Sequence, residues 1–190
     1  MMLASLLLIA GCSAEPTSPA KASAASGDLL GGLVGGVVGV VNNVLTPVLG
    51  LTRVTPLANS ITVNQTIGSA GGTLSIPAAG VTVVVPAGAV AAPTQFTMTA
   101  RAGIVIAYDF APHGVTFAKP LVFKQSLHGT TANLLNQSLL QFGYYSDPNQ
   151  LNLLGGLLSE LTSGTVDLLG WTFTANIKHF SGYMIACGRE

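Results

Sequence analysis

Charge is what this chain has least of. Asp, Glu, Lys and Arg make up 7% of its 190 residues, against roughly a quarter in an ordinary soluble domain. Seven basic side chains balance seven acidic ones, so there is no net field to hold a polyphosphate and no basic stripe to release counterions from nucleic acid. Nucleic acid is therefore not an expected partner, and disorder driven by charge is excluded. Aromatic side chains are sparse at 6%, and there are two cysteines, Cys12 and Cys187. What is plentiful is small or apolar. Hydrophobic residues reach 49%, mean hydropathy is +0.60, and 23 Gly with ten Pro promise frequent tight turns, which suit short strands better than long helices. The length allows one core with a leader before it.

The leader is the apolar run Leu3 to Ala10, ending in Ile9-Ala10-Gly11-Cys12 and followed at once by Ser13-Ala14-Glu15-Pro16-Thr17-Ser18-Pro19. These eight residues, all apolar but Ser5, are far fewer than the ~20 that span a bilayer as a helix. Small side chains at Ala10 and Gly11 let an extended backbone enter a peptidase cleft, and Cys12 supplies a thiol for acylation. The segment resembles the lipobox of bacterial lipoproteins. That resemblance implies a signal peptide over residues 1–11, a lipidated, palmitate-bearing Cys12, and a chain fastened to the cell envelope. Ser13 stands where an Asp would signal retention in the inner membrane, which implies the outer membrane. Lipidation of Cys12 would rule out an intramolecular disulfide and leave Cys187 to pack as a small apolar residue.

Residues 12–54 read as a connector. Ala, Ser, Thr and Pro dominate as far as Gly27, a composition with little to bury. In Leu29 to Val41, Gly31, Gly35 and Gly39 recur every fourth residue and would share one helix face, the pattern of close helix pairs in membranes. Thirteen residues rise about 20 Å as a helix against a ~30 Å hydrocarbon core, so a full span is not expected. Asn42-Asn43 and Pro47 interrupt any longer helix. A second Gly/Leu patch, Leu153 to Leu158, reads as a short helix or a loose loop.

From residue 55 to 190 period-two alternation predicts short strands: Ile61 to Ile67, Thr73 to Ile76, Val81 to Val85, Gln95 to Ala100, Ile104 to Phe110, Val115 to Phe117, Leu121 to Phe123, Leu140 to Tyr145, Trp171 to Ile177 and Tyr183 to Ala186. Phe96, Met98 and Ala100 share one face and Gln95, Thr97 and Thr99 the other, as when one sheet face is buried. About nine or ten strands with Gly/Pro turns and no long helix predict an all-β antiparallel sandwich.

Four ordered motifs lie in this part: Gly71-Gly72-Thr73-Leu74-Ser75-Ile76-Pro77, Val85-Pro86-Ala87-Gly88-Ala89-Val90, Pro112-His113-Gly114-Val115-Thr116-Phe117-Ala118-Lys119-Pro120-Leu121, and His179-Phe180-Ser181-Gly182-Tyr183. Over residues 61–187 they resemble the ZU-five domain, shared by ankyrins, netrin receptors and a tight-junction scaffold, with similar modules in bacterial lipoproteins. The resemblance implies a non-enzymatic β-sandwich used for binding or structure. Its expected partners are the membrane, through the lipid at Cys12, and an envelope protein or glycan. Each motif also has a local physical reading. Pro86-Ala87-Gly88 supplies a fixed φ and then a residue tolerant of φ > 0, so it makes a tight turn. Pro112-His113-Gly114 repeats that logic. Gly71-Gly72 marks a bulge or hairpin start, and Pro120, lacking an N–H, suits the first position of a strand.

Residues that could carry chemistry are few. In some ZU-five relatives the chain cuts itself at the tripeptide found here as His179-Phe180-Ser181. This implies, as the alternative to a purely structural role, an N-to-O acyl shift onto Ser181 with His179 taking the hydroxyl proton. In other relatives the same tripeptide stays intact at a strand kink. Ser69, in Ile67-Gly68-Ser69-Ala70-Gly71, lacks the first glycine of a nucleophile elbow. His113, His128, His179 and Asp109 show no metal-ligand spacing, so neither metal nor cofactor is expected. Asp147, Glu160 and Asp167 carry no pattern of a glycosidase carboxylate pair. Tyr144, Tyr145, Trp171 and Tyr183 read as half-buried core before they read as a binding platform.

Overall fold

Alternating apolar and polar side chains put nearly every segment between turns into extended conformation. The structure, a computed structural model, describes residues 48–146, 149, 151, 155–156, 158 and 160–187. Fifteen strands run through them. The first eight are β1 (Val48–Leu49), β2 (Thr52–Leu57), β3 (Ile61–Ile67), β4 (Gly72–Ile76), β5 (Val81–Val85), β6 (Thr94–Ala100), β7 (Gly103–Val105) and β8 (Ala107–Ala111). The rest are β9 (Thr116–Ser126), β10 (Leu140–Tyr145), β11 (Gly155–Gly156), β12 (Glu160–Ser163), β13 (Thr165–Asp167), β14 (Thr172–His179) and β15 (Gly182–Cys187). Pro77–Ala79 and Gln137–Leu139 form short 3₁₀ turns, and no helix among the described residues is long and apolar enough to cross a membrane.

Two antiparallel sheets form the sandwich, in the orders β12-β10-β15-β8-β6-β3 and β13-β14-β9-β5-β4. Phe96, Met98, Tyr108 and Phe110 point inward from the first and meet Val83, Leu121, Phe123, Phe173 and Ile177 from the second. The predicted alternation holds on β6, where Phe96, Met98 and Ala100 are buried. At one side the chain passes from sheet to sheet between β3 and β4. At the other side Gly164 alone separates β12 from β13, and a Cβ there would sit 2.2 Å from Phe173 Cζ. Both flanks of the sandwich are thus joined by consecutive strands, which protects otherwise open sheet edges.

Several boundaries differ from the local expectation. Ile104 to Phe110 is not one strand. The Leu51 carbonyl accepts the Ile106 N–H at 2.9 Å, so β7 turns to pair with β2 while β8 joins the sheet. Thr116-Phe117 and Leu121 to Phe123 merge into the single β9, which leaves out Val115 and has Pro120 inside it rather than at its start. The ladders beside Pro120 leave a gap. β5 pairs with β9 at residues 122–125, and β14 pairs at 121–126 and then at Thr116 past a register shift, so no ladder bond is lost there. Residues 48–54, expected to be connector, belong to the folded body: Leu51 is fully buried in the main core, and Thr52 and Arg53 are buried beside it. From the Leu153 to Leu158 patch, Gly155–Gly156 pair with β1.

All six residues of β15 are buried because the outer face of its sheet is covered too. Val48, Val105, Ala107, Tyr145, Leu158, Met184 and Ala186 form a second small core there. Cys187 is 8% exposed and lies in the main core, packed as the sequence predicts for a small apolar residue. Cys12, Asp147 and the glycine-repeat segment Leu29 to Val41 lie outside the described residues.

Candidate functional site

The four sequence motifs converge at one end of the sandwich. Gly71 ends the turn from β3 to β4, its N–H donating to the Gly68 carbonyl at 3.0 Å. In the turn after β5 the Ala89 N–H donates to the Pro86 carbonyl at 3.0 Å, and Gly88 adopts φ 78. The Gly88 N–H then donates to the Ser69 carbonyl at 2.8 Å, clamping the two turns together. The third motif is tied in by the Ala118 N–H on the Ala89 carbonyl at 3.1 Å and by Lys119 Nζ on the Ala87 carbonyl at 2.7 Å. The fourth follows: the Phe180 N–H donates to the Val115 carbonyl at 3.2 Å and the Gly114 N–H to the Phe180 carbonyl at 3.4 Å. Four patterns scattered along the sequence are therefore one hydrogen-bonded cap.

Gly71 is indispensable to that cap. Its φ is +79, and an added Cβ would lie 2.4 Å from the Val85 carbonyl oxygen, a backbone atom with nowhere to go. Gly71→Ala is expected to lower unfolding free energy by about 2 kcal/mol or more, combining left-handed strain with the displaced strand end. Urea unfolding of the variant checks this, and a midpoint equal to the parent's would refute it.

His179-Phe180-Ser181 is the crossover from β14 in one sheet to β15 in the other. Phe180 is 1% exposed. Its ring lies 5.0 Å from Phe96, 4.9 Å from Phe117 and 5.3 Å from Phe110, edge-on to the first two and stacked on the third. Ser181 is buried and its carbonyl accepts the Phe110 N–H at 3.0 Å. The His179 side chain faces Tyr183, whose hydroxyl lies 3.3 Å from Nδ1 and donates to the His179 carbonyl at 2.9 Å. Among the described residues no hydrogen bond joins the imidazole to Ser181 Oγ, the contact that a base and its nucleophile require. Trp171 is the non-glycine residue with positive φ among them, so neither Phe180 nor Ser181 carries left-handed strain.

The other candidates are dispersed. Asp109 is bound on both oxygens, by Arg101 at 2.7 Å and by the Tyr145 hydroxyl at 2.7 Å. His113 and His128 are exposed beyond opposite ends of β9. Among the described residues no group of three His, Cys, Asp or Glu side chains is placed to hold a metal. Glu160 is exposed on β12, and Asp167 Oδ1 accepts the Leu169 N–H at 3.0 Å. Ser69 sits in the β3–β4 turn. Of the aromatics, Tyr145 and Tyr183 are buried, while Tyr144 and Trp171 are half-buried. Burial raises Tyr145, with the Asp109 carboxylate adding to it. Burial likewise raises Tyr183, with Glu160 and Tyr144 contributing less.

A buried polar bridge between the sheets was not singled out from sequence. Tyr108 on β8 hydrogen-bonds Gln125 on β9, and Gln125 Nε2 donates to the Ala79 carbonyl at 3.0 Å. Arg53 lies beside them, donating to the Val105 carbonyl at 2.7 Å. Burial pushes Tyr108 up to about 12, the nearby guanidinium opposing it. The signal was present, because alternation through Leu121, Phe123, Gln125 and Leu127 places a polar side chain on the inward face, where it must find partners.

The family model of the ZU5 domain matches residues 63–102, from β3 to the turn after β6 and across the first two motifs of the cap. Over that stretch the chain is similar to a ZU5 domain. ZU5 domains are protein-interaction modules. The Pro112 and His179 motifs lie outside the matched stretch, yet the Pro112 motif is hydrogen-bonded to it and the His179 motif to the Pro112 motif. No curated protein matches the chain.

Proposed function

We propose that this is a lipid-anchored protein of the bacterial cell envelope, in the outer rather than the inner membrane. In this reading its ZU5-like sandwich presents a non-enzymatic binding or structural surface to an envelope protein or glycan. The observation that carries the anchor is Ile9-Ala10-Gly11-Cys12 closing a run apolar but for Ser5 ahead of a Ser/Thr/Pro stretch, where peptidase and acyl transfer both have what they need. The binding role rests on the interaction-module family. A cap built from backbone hydrogen bonds and a buried phenylalanine, rather than from a nucleophile and its base, favours it over catalysis.

Labelled palmitate supplied to cells is expected to enter the wild-type chain and to be absent from Cys12→Ala. Fractionation places the labelled product in the inner or outer membrane. The mass of the purified product is expected to start at a lipid-bearing Cys12 and to be intact across Phe180–Ser181. An unlabelled wild type that keeps its first eleven residues would overturn the anchor, and fragments ending at Phe180 would establish self-cleavage. Because the sequence has two cysteines, a lipid thioether at Cys12 and an intrachain disulfide exclude one another, and the same mass tells them apart. Capture of a partner needs a fragment that keeps Leu51, since that side chain is part of the core.

A further inference from the structure

The end of the sandwich opposite the motif cap exposes leucines in adjacent pairs. Leu134 and Leu135 are 73% and 89% exposed, and Leu168 and Leu169 are 56% and 100% exposed. Isolated surface leucines are ordinary, but two doublets projecting from one end are not. Register places them together. Thr172 pairs with Ser126, and the Leu127 N–H donates to the Trp171 carbonyl at 2.8 Å, so the β13–β14 turn and the loop after β9 leave the same end. Strand β13 also touches the Gln137–Leu139 turn that closes that loop.

Both doublets are built alike. Asn133 Oδ1 accepts the Leu135 N–H at 2.8 Å and Asp167 Oδ1 accepts the Leu169 N–H at 3.0 Å. In each, a side-chain oxygen two residues back satisfies the backbone donor of the second leucine. Such a tip can leave water without stranding that N–H. Residues 127–139 contain no Lys, Arg, Asp or Glu, so there is no charged group to desolvate in the longer loop. Trp171, the sole tryptophan, is half-buried beside the second doublet, and tryptophan favours the headgroup boundary of bilayers.

The upstream chain arrives at this same end. Leu140 pairs with Cys187, and Gly50 bridges to Ala186 one residue away. Val48, the first described residue, therefore lies at the leucine-bearing end. We propose that this end, through Leu134, Leu135, Leu168 and Leu169, docks on the lipid surface of the membrane to which Cys12 fastens the chain. The proposal rests on the anchored reading above for its geometry, and it leaves the motif cap facing away from the bilayer, open to a partner.

Trp171 makes the test direct. The full chain purified from membranes is reconstituted in phosphatidylcholine vesicles with or without bromine on the acyl chains, and its tryptophan emission is compared. Docking predicts quenching by the brominated lipid, unchanged by high salt because the contact is apolar. In Leu168→Ser/Leu169→Ser the docked fraction falls about tenfold or more. Leu134→Ser/Leu135→Ser, far from the indole in sequence, is expected to reduce quenching as well. Equal emission from anchored protein in both vesicle types overturns docking and leaves the anchor standing. If palmitate labelling shows no lipid on Cys12, the same full chain is mixed with the two vesicle types. Quenching then sustains docking after the anchored reading has failed, and its absence sinks both.

Discussion

Phe180→Ala is expected to remove about 3–5 kcal/mol of stability, the range for emptying a large aromatic site in a packed core. The ring touches Phe96, Phe110 and Phe117, which come from three different strands and both sheets. Collapse around the void would have to move both layers. The backbone on either side is pinned by hydrogen bonds to Val115, Gly114 and Phe110, so the crossover cannot slide another side chain into the gap. Equilibrium unfolding in guanidinium with far-UV circular dichroism reads the loss. His179→Ala, which removes a half-buried ring on the surface side, is expected to cost far less. A Phe180→Ala protein within 1 kcal/mol of the parent would show that the tripeptide is not the structural pin described here.

Alkali is expected to unfold the domain steeply above pH 10. Tyr108, Tyr145 and Tyr183 all have folded values raised above the ordinary 10.0, in each case chiefly by burial. A raised folded value means that the unfolded chain loses its proton first. The contribution of these phenols to stability is therefore complete below pH 10 and declines as pH climbs from the unfolded value toward the folded one. Tyr108 and Tyr145 each take away about 1.4 kcal/mol per pH unit in that window, together about 3 kcal/mol per unit. This is enough to exhaust a domain of ordinary stability within two or three units. Tyrosinate absorbance should rise together with the loss of circular dichroism, not ahead of it. Tyr145→Phe, which keeps the ring in the second core but removes the phenol, should flatten the slope. Tyrosinate appearing near pH 10 while the fold persists would refute the burial of these hydroxyls.

Much of the strand inventory was legible because alternation is a local property. Ile61 to Ile67 and Val81 to Val85 appear with the boundaries that their own side chains suggest. Errors came where a distant residue intervened. Leu51 takes the N–H of Ile106 and divides a run that looks continuous. Residues 48–54 read as connector because nothing local reveals that Leu51 sits between Ile185 and Ile106. The unbroken apolar run Tyr183 to Cys187 did hold a clue, since a strand without alternation is buried on both faces. The cover over its outer face, including Val48 and Leu158, comes from segments of low complexity that carry no pattern of their own.

The motifs show the same division. Their order in the chain supports the family resemblance, and their Pro and Gly residues announce turns. That Gly88 clamps Ser69 and that Gly114 holds Phe180 follows only from pairing across the sandwich. The tripeptide His179-Phe180-Ser181 admitted two readings in sequence, and only the structure shows its imidazole set against Tyr183. By itself the sequence determined a strand-built body and the turns that punctuate it, because side-chain period and short peptide context act over a few neighbouring residues. Tertiary structure alone decided which turns meet, which phenols are buried and which end carries the exposed leucines, because those depend on pairings between residues brought together from distant parts of the chain.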